Sequence, residues 1–186
     1  MTSQPAHNPR NWTYDDYLRL DDDTRYEIIE GDLEVVPAPT LGHQDAAGAL
    51  YRALWNYVTA HSLGRIYISP VDVILNERNV VQPDVVFVGA ARAAILQDRG
   101  IMGAPDLVVE VISPSSGHRD RLVKRQLYER FGVKEYWMID PAGRVIQVFA
   151  LDAGRYRLAG HVAGSGVVQS AVLPGFSIDV IHAFPS

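Results

Sequence analysis

Two acidic residues lie in or beside segments that otherwise have the composition of buried β-strands. Glu110 is in the middle of residues 107–112, which are otherwise aliphatic, and Asp84 directly precedes the β-branched and aromatic residues 85–88. Because side chains alternate between the two faces of a strand, the Glu110 carboxylate points where aliphatic side chains point. Burying such a group is costly unless it is paired with a cation, bound to a metal or protonated. The sequence therefore predicts a buried ion pair, a metal site or a catalytic carboxyl group at Glu110.

The backbone around Asp84 is stiff, since Pro83 fixes its own φ and biases the preceding residue toward an extended conformation. Pro-Asp dipeptides also initiate turns, and an aspartate in a turn is the alternative interpretation. Residues 89–105 are long enough to return the chain, so the strands at 85–88 and 107–112 can lie side by side. The two carboxylates would then converge. That arrangement suits Mg²⁺, with Mn²⁺ as a substitute, because Mg²⁺ prefers oxygen ligands and usually takes one or two protein carboxylates.

A lysine follows on a predicted amphipathic helix over residues 119–130. Asp120, Lys124 and Tyr128 recur at four-residue spacing, which places them on one side of this helix, next to its apolar stripe. Lys124 can thus reach back to the strand that carries Glu110. The alternative is a solvated lysine paired with Asp120, since pairs at this spacing are ordinary surface features. An aspartate, a glutamate and a lysine brought together would suit metal-dependent cleavage of a phosphodiester, in which the lysine orients the attacking water or neutralises charge.

The order and spacing of these residues resemble the PD-(D/E)XK nuclease superfamily and, within it, the Uma-type restriction endonuclease family. The resemblance covers most of the chain. It rests on residues 26–31, His43, residues 82–84, residues 104–115, Lys124 with Tyr128, residues 132–137 and residues 173–176. It implies a restriction endonuclease-like α/β fold: a mixed β-sheet flanked by helices, with an N-terminal helix and β-hairpin and a C-terminal β extension.

The resemblance also implies roles for individual residues. Asp84 and Glu110 match the two acidic metal ligands, with the backbone carbonyl of Val111 as a further ligand. Glu30 matches an upstream acidic position and is taken as an auxiliary catalytic group. The superfamily pattern has a lysine two residues after the glutamate, where this sequence has an isoleucine. Lys124 resembles the lysine that has moved to the following helix in this branch, and it is taken as the catalytic residue that positions the water.

Basic residues are concentrated beside the predicted site, although the formal net charge of the chain is −5. The cluster consists of Arg119, Arg121, Lys124, Arg125, Arg130 and Lys134. Arg119, Arg121 and Arg125 are predicted to contact DNA phosphates, with a solvated helix face as the alternative. His43 begins a predicted helix and is expected either to contact a phosphate or to cap the turn.

The composition of the 186 residues is that of a globular protein, with 47% hydrophobic and 21% charged residues. We predict a flexible tail at residues 1–11 and a single restriction endonuclease-like domain at residues 12–186. The absence of cysteine excludes disulfides and thiolate zinc sites. No long apolar run or signal core is present, so we expect a cytoplasmic location and no membrane partner.

Periodicity and turn signals predict the elements that position these residues. Helices are predicted at residues 13–20, 43–61 and 119–130. A hairpin is predicted at residues 26–30 and 33–36, with Gly31 and Asp32 at its turn. Further strands are predicted at residues 65–69, 71–75, 85–88, 107–112, 136–139, 145–151 and 156–158, with a turn at residues 76–79 and a final apolar packing segment at residues 176–181.

The leading hypothesis is a divalent-metal-dependent endonuclease that hydrolyses DNA. The alternative is a catalytically inactive nuclease-like module that binds nucleic acid or a protein partner. A carboxylate-pair glycosidase is disfavoured because no aromatic platform for a sugar is evident. No glycine-rich phosphate loop is present, so no nucleotide cofactor is expected. A homodimer is a further hypothesis, since nucleases that cut both strands often work as dimers.

Overall fold

The computed structural model describes residues 11–112 and 118–184, with the side chains of residues 118–121 left out. The helices are α1 (Tyr14–Tyr17), α2 (Leu41–Ala60), α3 (His118–Phe131) and α4 (Val180–Ala183), with a 3₁₀ helix at Ala90–Ile95. The strands are β1 (Tyr26–Ile29), β2 (Asp32–Val35), β3 (Gly64–Ile68), β4 (Val73–Asn76), β5 (Asn79–Val81), β6 (Val85–Gly89), β7 (Leu96–Gln97), β8 (Gly100–Met102), β9 (Leu107–Val111), β10 (Glu135–Asp140), β11 (Val145–Asp152), β12 (Arg155–Ala163), β13 (Val167–Gln169) and β14 (Ser177–Asp179). The predicted tail falls mainly on residues 1–10, which lie outside the described residues.

A six-stranded mixed sheet forms the centre of the molecule, in the order β12-β11-β10-β9-β6-β3. The pair β9 and β10 is parallel, and the other neighbouring pairs are antiparallel. The adjacency of β6 and β9, predicted from the sequence, is confirmed. Residues 89–105, which connect these strands, contain the 3₁₀ helix and the short strands β7 and β8.

The two faces of β9 pack against different helices, as the alternation of its side chains requires. Val109 belongs to a buried apolar cluster with Leu54 of α2. Val108 belongs to a second cluster with Leu127 and Tyr128 of α3. Glu110 shares the face of Val108, so its carboxylate lies on the side of the sheet that α3 covers.

A second six-stranded sheet has the order β2-β1-β5-β4-β8-β7, with only the pair β4 and β8 parallel. Strand β5 follows the predicted turn and was not predicted as a strand. This sheet packs on the central one through a shared cluster that includes Val81 and Val86. The fold class predicted from the sequence, α/β with a mixed β-sheet and flanking helices, is confirmed, and the second large sheet was not predicted.

The hairpin of β1 and β2 turns one residue earlier than predicted. Ile29 pairs with Asp32, so Glu30 and Gly31 are the two turn residues. Their φ angles are 54° and 82°, the left-handed values that a type I′ hairpin turn requires at both central positions. Glu30 therefore lies at the hairpin tip, beyond the last paired residues of β1.

Asp106 fastens the start of β9 to its surroundings. Its buried carboxylate accepts hydrogen bonds from the backbone N–H of Gly89 at 2.8 Å and from Arg92 Nη1 at 3.2 Å, and it pairs with Lys134 Nζ at 2.8 Å. Burial raises the pKa of Asp106, but these three partners outweigh that effect and hold the pKa below its ordinary value.

Glu135 fastens the C-terminal extension to the central sheet. Its side chain is fully buried, and its carboxylate accepts hydrogen bonds from Trp137 Nε1 (2.6 Å), Ser170 Oγ (2.7 Å) and the backbone N–H groups of Ala171 (2.6 Å) and Val172 (3.0 Å). The extension therefore supplies three of the four donors that satisfy this charge.

Candidate active site

Asp84 lies beside Glu110 because of the register of β6 and β9. Val85 pairs with Val109 and Val86 with Val108, so the same register continued by one pair sets Asp84 opposite Glu110. Directly opposite residues of an antiparallel pair point to the same face. Both carboxylates are therefore on the α3 side of the sheet, and the predicted convergence of these two residues is found.

The Asp84 carboxylate is held at both oxygens. Oδ2 accepts a hydrogen bond from the Val111 backbone N–H at 2.7 Å, and Oδ1 accepts one from His43 Nε2 at 2.8 Å. His43 is in the first turn of α2, whose N-cap residue Thr40 accepts a hydrogen bond from the His43 N–H at 3.3 Å. The other ring nitrogen of His43 is buried and has no hydrogen-bond partner among the described residues. His43 thus contacts a predicted metal ligand.

Glu110 is bound by two side chains from consecutive turns of α3. Its Oε1 accepts hydrogen bonds from Lys124 Nζ at 3.1 Å and from Tyr128 Oη at 2.6 Å. Residues four apart lie on one side of a helix, so a single orientation of α3 delivers both donors. The sequence predicted that Lys124 can reach Glu110, and the structure brings the two together. The lysine side chain is only 18% exposed and is not a solvated surface lysine.

Glu27 completes the cluster and was missed in the sequence. It lies on β1 with its side chain buried, and its Oε1 accepts hydrogen bonds from Lys124 Nζ at 2.8 Å and from the Gln82 backbone N–H at 2.7 Å. Lys124 therefore bridges Glu27 and Glu110. The signal was available, because Glu27 precedes two buried isoleucines on a short strand, much as Glu110 lies among aliphatic residues.

The structure does not bring Glu30 to this cluster. Glu30 is at the hairpin tip, its side chain is 55% exposed, and it pairs with Arg130 of α3. The two-residue turn accounts for this placement, since it carries Glu30 past the end of β1, whereas Glu27 remains within the strand. The acidic group that β1 contributes to the cluster is therefore Glu27, whereas an auxiliary catalytic role for Glu30 stays a prediction.

The buried charges shift each other's proton affinities. Burial raises the pKa of Glu110 to about 7, with Lys124 opposing the rise and the charges of Asp84 and Glu27 adding to it. Burial lowers the pKa of Lys124, but Glu110 and Glu27 outweigh that effect and raise it, so the lysine stays protonated. Burial and the nearby Glu110 raise the pKa of Tyr128, which keeps its hydroxyl a donor.

These residues form the floor of a cavity of about 450 Å³. Glu27, Asp84, Glu110 and Lys124 all line it. One wall consists of residues 34–39, which form the end of the edge strand β2 and the segment after it, and of residues 43–44 of α2. The remainder is lined by Arg25, Ile29, Ser69, Pro70, Gln82, residues 111–112 and Tyr136. Val111, the predicted further metal ligand, thus borders the cavity as well as donating its N–H to Asp84.

Of the three arginines that are predicted to contact DNA, the structure describes the side chain of Arg125 alone. The Arg125 guanidinium stacks on the Phe149 ring, 5.2 Å from its centroid, and Arg125 does not line the cavity. The side chains of Arg119 and Arg121 lie outside the described residues. The cavity's own cations are Arg25 and Lys124, as far as the described residues extend.

The donors at the floor suit a hard divalent cation. Among the described side chains, those of residues 11–112 and 122–184, no group of three or more His, Cys, Asp and Glu is arranged to hold a metal ion. Mg²⁺ does not need such a group, because it keeps several waters and usually takes one or two carboxylates. Asp84 and Glu110 are the two carboxylates that would hold such a cation, with the carbonyl of Val111 as the predicted third oxygen. The charge of Asp84 raises the pKa of Glu110, and a cation between the two carboxylates would relieve that repulsion.

Among helices of the described part, none is both long and apolar enough to cross a membrane.

Comparison with known proteins agrees with this architecture. The solved structure of a putative nuclease belonging to DUF820 from Anabaena variabilis superposes with a TM-score of 0.74, at 17% identity, over 92% of this chain and 97% of that chain. At this identity the likeness concerns the fold. No curated protein matches the sequence. The Uma2 family, described as "putative restriction endonuclease", matches residues 14–181. Because the match spans nearly all of the sequence, the chain belongs to the Uma2 family.

Proposed function

We propose that this protein is a divalent-metal-dependent endonuclease that hydrolyses phosphodiester bonds of DNA. The observation that carries the proposal is the pairing of Asp84 and Glu110 on one face of the central sheet, with Lys124 bound to Glu110. Carboxylates at adjacent strand positions, facing a protonated lysine across a cavity floor, are the groups that phosphodiester hydrolysis with a metal requires.

Asp84, Glu110 and the Val111 carbonyl are the groups that would hold Mg²⁺, or Mn²⁺ in its place. The chemistry supplied by the bound cation is polarisation of the phosphodiester and a lower pKa for the attacking water. Asp84 is presented to the cation by the Val111 N–H and His43, which fix its two oxygens.

Lys124 provides the fixed positive charge of the site. Its ammonium group orients the attacking water and stabilises the negative charge that develops on the phosphate oxygens. Glu27 keeps the ammonium group at the floor of the cavity through its 2.8 Å contact. Tyr128 limits the rotation of the Glu110 carboxylate, because its hydroxyl donates to Oε1 at 2.6 Å. Glu27 and Tyr128 are therefore positioning residues.

The test is cleavage of supercoiled plasmid and of a labelled single strand by purified protein in Mg²⁺, Mn²⁺ or EDTA. We expect cleavage that requires metal and is lost in Glu110→Gln. The matched control is Glu129→Gln, on the same helix as Lys124 but outside the cavity lining, which should retain cleavage. Thermal unfolding should show that both variants are folded.

Calorimetric titration with Mg²⁺ separates this proposal from a non-catalytic binding module. A nuclease should bind Mg²⁺ saturably, and the heat should disappear in Glu110→Gln and remain in Glu129→Gln. Saturable DNA binding by a protein that neither binds Mg²⁺ nor cleaves either DNA would overturn the proposal in favour of the module.

A further inference from the structure

The wall of the cavity beside the carboxylates is apolar and uncovered. Residues 35–39 have the sequence Val-Val-Pro-Ala-Pro, and all five line the cavity. The Val35 side chain is 63% exposed, and residues 37–39 are exposed as well. An apolar run left open to water at the mouth of a polar site marks a surface that contacts a ligand.

The charges that the described residues bring to the cavity do not suit a tract of consecutive phosphates. Among the described lining residues, the acidic side chains are Glu27, Glu34, Asp84 and Glu110, against Arg25 and Lys124. Both cations are already bound within the protein. Arg25 donates from Nε to Gln82 Oε1 at 3.0 Å and from Nη2 to Ser69 Oγ at 2.7 Å, and Lys124 contacts two carboxylates. Non-specific binding of duplex DNA depends almost entirely on Lys and Arg side chains that are available to neutralise phosphates.

The size and recess of the cavity also favour a single strand. A volume of about 450 Å³ is in the range of pockets that enclose one small ligand. The reactive groups lie at its floor, with Asp84 and Glu110 largely buried. A paired duplex would lay charged backbone against the apolar wall, because its bases are stacked inside. An unpaired nucleotide instead offers an apolar base face to that wall while its phosphate reaches the floor.

We propose that the substrate is DNA with an unpaired strand at the scissile phosphate, and that one base packs against residues 35–39. This inference rests on the proposed nuclease function and names its substrate class. Val35 is the residue through which the protein distinguishes unpaired DNA. It is exposed and, alone among residues 35–39, it lies in β2, where it pairs with Tyr26 of β1.

Binding and cleavage are both measured, so that this inference and the nuclease proposal fail separately. The probes are a fluorescein-labelled DNA single strand, the same sequence as a duplex, that duplex with a central unpaired bulge, and the single strand made as RNA. Fluorescence anisotropy is recorded in Ca²⁺, with a gel to show that the probes stay intact, and cleavage is recorded in Mg²⁺. The single strand and the bulged duplex should bind at least about tenfold more tightly than the paired duplex.

The decisive variant is Val35→Ser, and Val167→Ser is its matched control. Val167 is 54% exposed, also on a short strand, and is outside the cavity lining. Val35→Ser should reduce the preference for the single strand about threefold or more without changing the affinity for the duplex, and Val167→Ser should change neither.

Each outcome decides one of the two questions. Equal binding of all DNA probes, or an unchanged preference in Val35→Ser, would overturn the unpaired-strand inference even if metal-dependent cleavage is observed. Preference for the single strand without any cleavage would support the contact between an unpaired base and residues 35–39 and would overturn the nuclease proposal. Tighter binding of the RNA than of the DNA single strand would reject DNA as the substrate.

Discussion

Replacing Lys124 by methionine should destabilise the protein strongly, because it removes the one cation that bridges two buried carboxylates. The ammonium group is 2.8 Å from Glu27 and 3.1 Å from Glu110, and its side chain is only 18% exposed. Removing one partner of a buried ion pair lowers the free energy of unfolding by about 3–5 kcal/mol. Methionine keeps most of the apolar stem in place, so the loss reports the charge rather than a cavity. For a chain of this length the corresponding drop in Tm is about 6–20 °C.

The matched control is Lys134→Met, which removes a lysine from a different carboxylate. Lys134 contacts Asp106 at the same distance, 2.8 Å, but its side chain is 57% exposed and Asp106 keeps two other donors. Exposed pairs contribute about 1 kcal/mol or less. Urea unfolding of the three proteins at neutral pH in EDTA measures both losses. A loss for Lys124→Met no greater than that for Lys134→Met would refute the reasoning that Lys124 neutralises buried charge.

Three further measurements test the site and its support. Glu27→Gln should lower the cleavage rate about tenfold or more because Lys124 loses a partner, whereas Glu30→Gln should leave the rate unchanged; equal losses would contradict the geometry of the hairpin. His43→Ala should raise the Mg²⁺ concentration for half-maximal cleavage about tenfold, with partial recovery in His43→Gln, and an unaltered Mg²⁺ dependence would exclude a role in holding Asp84. Asp106→Asn should lower the free energy of unfolding at neutral pH by about 1–3 kcal/mol. The pKa of Asp106 is depressed in the folded state. Its contribution to the free energy of unfolding is therefore present above the unfolded-state pKa and is lost as the pH falls through the folded-state pKa. If urea unfolding gave the same difference between Asp106→Asn and the unaltered protein at pH 7 and pH 3, that result would argue against this origin.

The central strands and the helix that faces Glu110 could be predicted because their patterns are local. Aliphatic residues around Glu110 fix which face of β9 it occupies, and the four-residue spacing of Lys124 and Tyr128 fixes which side of α3 they share. These two patterns, together with the predicted adjacency of β6 and β9, are enough to bring Asp84, Glu110 and Lys124 into a single cluster. The metal and the substrate stay predictions, since they depend on molecules that the sequence does not contain.

The positions that differ from the expectation depend on the register of a hairpin or on a partner that is distant in the sequence. A shift of one residue in a two-residue turn decides whether Glu30 lies within the strand or at its tip, and both turns fit the sequence Glu-Gly-Asp. Strand β5 has only three residues, too few to show an alternation of polar and apolar side chains in the sequence. Arg125 was expected to contact a phosphate, and its guanidinium stacks on the Phe149 ring. Phe149 is 24 positions away in the sequence, and the periodicity of one helix does not reveal such a partner.

The hydrogen bonds between Glu135 and the C-terminal extension bear on the order in which the chain folds during synthesis. The strand that carries this carboxylate leaves the ribosome before Ser170, Ala171 and Val172, which supply most of its hydrogen bonds. Until those residues emerge, a completed central sheet would enclose an ion with one donor from Trp137. Burying Glu135 is therefore less costly once the segment that contains Ser170, Ala171 and Val172 has been synthesised.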